Sequence, residues 1–89
     1  MTDVTDRKSI ITESVGPASY AAGGFDVEVS DLATVDISAV LQATGGYTAE
    51  VASISGNKAK VKVYSASGTE VTNGTDLSGE TVTLLSYGL

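Results

Sequence analysis

Apolar residues in this chain recur at every second position, in short runs separated by turn residues, and that period of two predicts strands rather than helices. The first run, Ser9 to Val15, sets Ile11 and Val15 on one face and Ile10 on the other; Gly16-Pro17 ends it, because proline cannot donate to a ladder. Small residues fill Ser19 to Gly24. Phe25 to Ser30 then alternates without a fault, with Phe25, Val27 and Val29 inward and Asp26, Glu28 and Ser30 outward. A turn or single helical turn over Ser30 to Ala33 leads to a strand over Thr34 to Ala43. Its expected inward set is Val35, Ile37, Ala39 and Leu41, its outward set Asp36, Ser38 and Val40.

The clearest signal lies between Tyr47 and Ala66, where two alternating runs flank Gly56-Asn57. Gly56 suits the positive φ that a type II′ turn requires at its first central position. The return strand splits by parity into Ala59, Val61 and Val63 on one face and Lys58, Lys60 and Lys62 on the other. Two registers compete. A two-residue loop sets Ile54 against Ala59 and Ala52 against Val61, but Glu50 against Val63. A three-residue loop sets Glu50 against Lys62 and Val51 against Val61. Turn chemistry favours the first and charge pairing the second; the expectation is the two-residue turn. That register also puts Tyr47 and Tyr64 on one outer face with the lysines.

Ser67 to Gly79 is polar and turn-rich, with a short strand expected at Glu70-Val71-Thr72 and turns at Asn73-Gly74 and Asp76 to Gly79. Glu80 to Tyr87 closes the pattern with Val82 and Leu84 on one face and Leu85 and Tyr87 on the other. A strand apolar on both sides is central between layers or covered by a neighbouring subunit, so Leu85 and Tyr87 are expected to be buried in one of those ways. The whole reads as one all-β domain over residues 9–89, a compact antiparallel β-sandwich or small barrel of about six strands, preceded by a flexible polar arm over residues 1–8.

Composition narrows the function. The 89 residues hold no cysteine or histidine, which excludes thiolate metal sites and removes the usual general base. A net charge of −6 argues against nucleic acid as a partner, and the short apolar runs and polar start argue against a membrane span or a leader. Nothing resembles an active site, and a non-enzymatic protein without cofactor is expected. Asp26, Glu28, Asp31 and Asp36, and the loop from Asn73 through Asp76 to Glu80, are weak echoes of calcium ligand sets, better read as solvated acidic faces. Three of the five basic residues stand in the lysine row, which is either a solvated face or a contact surface. The residues singled out for partner contact are Arg7, Lys8, Lys58, Lys60, Lys62, Tyr64, Leu85 and Tyr87.

Several segments together carry a resemblance: Gly16-Pro-Ala-Ser-Tyr-Ala-Ala-Gly-Gly-Phe-Asp-Val27, Thr34-Val-Asp36, Gly45-Gly-Tyr47, Gly56-Asn-Lys58 with Val61-Lys-Val-Tyr64, and Gly74-Thr-Asp-Leu-Ser-Gly79 with Thr81-Val-Thr-Leu-Leu85. In order and spacing they resemble small virion structural proteins of tailed bacteriophages, most of all head decoration (cement) proteins. The resemblance runs from Gly16 to Leu89 and rests on turns and strand edges. It implies an all-β protein made in the host cytoplasm that docks in many copies on the capsid exterior. Its partners would then be the major capsid protein and neighbouring copies of itself. No residue-level binding motif transfers. The competing readings are another virion component (tail, neck or head fibre) and a glycan-binding or adhesive β-sandwich module, the latter weakened by the lack of an aromatic platform.

Overall fold

The computed structural model describes residues 7–89. The arm expected over residues 1–8 therefore falls, for residues 1–6, outside the described residues. Six strands follow in order: β1 (Lys8–Val15), β2 (Phe25–Glu28), β3 (Val35–Ala43), β4 (Thr48–Ser55), β5 (Lys58–Tyr64) and β6 (Thr81–Gly88). They form two antiparallel three-stranded sheets, ordered β1-β6-β3 and β2-β5-β4. The sheets pack face to face as a sandwich, with β3 running beside β4 where the chain passes from one to the other.

The inner faces follow the period-two reading on both central strands. Ala59, Val61 and Val63 of β5 meet Val82 and Leu84 of β6, and Val27, Tyr20, Val71 and Leu77 complete the main core. Completely burying a side chain such as Leu84 contributes about 1.5–3 kcal/mol. A second cluster of Val29, Leu32 and Val35, with Ile10 against it, closes one end. Ser86 is the polar exception: buried on the inward face of β6, it shares a 3.0 Å hydroxyl hydrogen bond with Ser38 and so carries no unmet polar atom.

The hairpin resolves its register conflict with a bulge. Gly56 has φ +60°, the sign that a type II′ turn needs there, with Ser55 opposite Lys58 and Ile54 opposite Ala59. One extra residue, Ala52, then shifts the ladder, so that Val51 faces Val61 and Glu50 faces Lys62. Both expected registers are present, one on each side of the bulge. The shift also turns Tyr47, Ala49 and Val51 toward the core. Tyr47 therefore does not share the outer face with Tyr64.

Two further bulges correct the expected facing of β3. Asp36 and Leu41 are each extra residues against β6, between the pairs Val35–Gly88 and Ile37–Tyr87 and between Val40–Leu84 and Gln42–Thr83. The first reverses the parity after Val35. Ser38 and Val40 turn inward, while Ile37, Ala39 and Leu41 face outward. In β1 the inward residue is Ile10, and the pair Ile11 and Val15 lies on the solvent side. Glu70 forms an isolated bridge to Tyr64, and the Val71 N–H donates to the Val63 carbonyl, so the short strand expected there is reduced to a two-residue extension of the sheet.

Candidate interaction surfaces

The outward face of β1-β6-β3 is predominantly apolar. Leu85 lies at its centre, directly between Ile11 of β1 and Ala39 of β3; Tyr87 lies between Ser9 and Ile37 in the next row. Ile11 is 67% exposed, Val15 61%, Ile37 64%, Leu41 54% and Leu85 39%. Together these side chains leave on the order of 500 Å² of apolar surface open, at the upper end of the roughly 300–600 Å² of the largest patch on a typical monomer, which is often functional. Leu85 is thus not buried within the chain, and Tyr87 is half-buried. Of the two burials expected for them, the core is corrected, and a covering partner is the one still open. Glu13 is the charged residue in the midst of this face, in the row of Thr83 and Gln42.

The opposite outer surface, on β2-β5-β4, is polar and carries both signs. Lys58 stands between Glu28 and Ser55, Lys60 between Asp26 and Ser53, and Lys62 beside Glu50. Asp26, Ser53, Ser55, Lys58 and Lys60 line a shallow groove there. The Tyr64 hydroxyl donates to Glu50 Oε1 at 2.6 Å and the Lys62 ammonium lies 5.8 Å from the Tyr64 ring centre. The bond to the Glu50 carboxylate, more than desolvation, raises the Tyr64 pKa. β5 is the central strand of its sheet, so its lysines do not guard an edge. Their charge is set against the carboxylates of Asp26, Glu28 and Glu50 on the neighbouring strands.

The residues expected at a partner therefore separate into three groups. Lys58, Lys60, Lys62 and Tyr64 lie on one outer face, and Leu85 and Tyr87 on the other. One flat partner cannot meet both. Arg7 pairs with Asp36 and Lys8 donates to the Asp31 carbonyl at 3.3 Å, so these two tie the start of β1 to the segment before β3 and to β3 itself. Ile11, Val15, Ile37 and Leu41 were missed as surface residues because simple alternation assigns Ile37 and Leu41 inward and leaves β1 ambiguous. The hint available was Val40, an apolar residue on the parity that alternation assigns outward.

A polar cluster holds the two long loops together at the other end of the core. The buried Tyr20 hydroxyl accepts from the Val63 N–H at 3.2 Å and donates to Glu70 Oε2 at 2.8 Å. That same oxygen accepts from the Gly23 N–H at 2.8 Å, and Asn73 Oδ1 accepts from the Ala22 N–H at 3.0 Å. Desolvation pushes the Tyr20 pKa up to about 12, and the Gly23 N–H followed by the Tyr20 hydroxyl lowers that of Glu70. This is structural chemistry: the buried polar side-chain atoms in it are answered from within the chain.

The acidic residues considered as calcium ligands are dispersed. Asp26 and Glu28 face lysines, Asp36 faces Arg7, Asp76 accepts from the Ser78 N–H and hydroxyl, and Glu80 accepts from the Thr44 hydroxyl. Among the described residues no three metal-ligating side chains converge. No protein-family model matches the chain, and neither a curated protein nor a solved structure matches it.

Proposed function

We propose that this chain is a bacteriophage capsid decoration protein that seats the apolar outer face of β1-β6-β3 on the exterior of the head. The observation that carries the reading is that face, with Leu85 central and Ile11, Val15, Ile37 and Leu41 around it, on a chain whose net charge is −6. A protein kept soluble by its acids has no folding reason to leave so much aliphatic surface in water, and a permanent partner supplies one. The segment resemblance to head decoration proteins names the partner. The small fold also suits the role, because binding to many lattice sites stabilises the folded chain by mass action. The test is quantitative mass spectrometry of purified virions: hundreds of copies per particle, lost together with capsid stability on deleting the gene, are expected. Absence from the particle, or a handful of copies confined to the tail, defeats the reading.

A further inference from the structure

Each sheet in this sandwich ends in two edge strands, and three of the four are guarded. β2 is only four residues long and carries Asp26 and Glu28. β3 is broken by bulges at Asp36 and Leu41, β4 by one at Ala52, and the two strands lie beside each other. Short length, bulges, charge and mutual cover are the ordinary defences of a sheet edge against adding another strand. β1 is the least guarded: among the described residues it lacks short length, bulges and a covering strand, and its charges are Lys8 at its start and Glu13. It is eight residues long, pairs with β6 from Lys8–Gly88 to Val15–Thr81 without a register break, contains no proline, and has a single charged residue, Glu13, after its first position. Among the described residues, no loop backbone hydrogen-bonds to it.

We infer that β1 is an assembly edge, and that its occupant is the β1 strand of a second copy, paired antiparallel about a two-fold axis through Ile11. A two-fold axis perpendicular to the sheet keeps outward residues opposite outward residues, so residue numbers facing each other must sum to an even value. With Ile11 opposite its own copy, Ser9 faces Glu13, Ile10 faces Thr12 and Lys8 faces Ser14. No like charges are opposed, and an aliphatic pair sits at the centre. The alternative axis through Thr12 sets Ile11 against Glu13 and loses that pair. The product is one six-stranded sheet shared by two chains, in which the two apolar outer faces join into a single surface about twice as large. The edge geometry carries this inference by itself; it does not depend on what the apolar face docks against.

The chain contains no cysteine, so a single introduced thiol reports one contact. Facing residues of an antiparallel pair have Cα atoms about 4.5–5.5 Å apart, within disulfide range. Sedimentation velocity of the unaltered chain is expected to show a dimer. Ile11→Cys is expected to cross-link to completion under mild oxidation, while Leu41→Cys, on the far strand of the same face, is not. Ile11→Lys should weaken the dimer at least tenfold and Leu41→Lys should leave it unchanged. Ile11 is mostly exposed, so these changes do not threaten the monomer's fold. A chain that stays monomeric at 100-fold dilutions above and below about 10 µM overturns the inference. So does a dimer that Leu41→Lys disrupts as much as Ile11→Lys, or one in which the Leu41→Cys variant cross-links as readily as the Ile11→Cys variant, because either result describes two sheets stacked face to face.

Discussion

The phenol of Tyr20 reaches the interior with its hydroxyl held between the Val63 N–H and the Glu70 carboxylate, and its ring meets Phe25 edge-on at 6.5 Å between centroids. Tyr20→Phe keeps the ring but leaves the Val63 N–H without its acceptor, which should cost about 1–3 kcal/mol in urea unfolding. The two titrating partners give opposite pH limits. The folded Tyr20 pKa is raised to about 12, so the stability due to its neutral form is complete below the ordinary phenol value and is lost as pH rises through about 12. Glu70 and Asp76 have lowered folded values, so their contribution is present above the usual carboxylate range and is lost as pH falls through those lowered values. Thermal melting across pH should therefore fall at both extremes, and Tyr20→Phe should reduce the alkaline limb and weaken the Glu70 share of the acid one, while the Asp76 share stays. An alkaline limb unchanged in the variant would assign it to another tyrosine.

Strand by strand, the bulges decide which side chains meet water. Without the extra residue at Asp36, Ile37 and Leu41 would point between the sheets, and replacing either by serine would cost several kcal/mol through cavity formation and an unmatched hydroxyl. On the outward face the cost is small. The double variant Ile37→Ser/Leu41→Ser should change unfolding free energy by no more than about 1 kcal/mol, and should reduce binding of a hydrophobic dye to the native protein. Loss of more than about 3 kcal/mol would place these residues in the core. The ladder of β4 works in the same way: a single inserted residue, Ala52, lets the Gly56-Asn57 turn and the Glu50–Lys62 pair coexist on strands that no single register could serve.

At the scale of the whole molecule the two outer surfaces differ in kind, one aliphatic and one studded with alternating charge. The proposed docking through the aliphatic face makes two outcomes diverge. Leu85→Asp should leave a folded, soluble chain, because the residue is already 39% exposed, yet abolish occupancy of capsids in a binding assay. Replacing Lys58, Lys60 and Lys62 together by serine should leave occupancy and its salt dependence nearly unchanged, because these side chains lie on the opposite sheet. If the lysine variant fails to bind and Leu85→Asp binds normally, the chain docks the other way round.

Read from sequence alone, the alternation within Phe25–Ser30 and Lys58–Tyr64 and the turn at Gly56-Asn57 determine the all-β class, most strand positions and the inward set Val27, Val29, Ala59, Val61 and Val63. These are local properties: a side chain's parity and a glycine's freedom at positive φ do not depend on what lies across the sheet. Tertiary structure alone decided the rest. A bulge is visible only against its partner strand, and one inserted residue reverses every side chain beyond it, so the facing of Ile37 and Leu41 was beyond reach of the pattern. Likewise the Tyr20–Glu70 contact joins residues 50 apart in the chain, and β1 became an open edge only because β6, the last strand, pairs between it and β3.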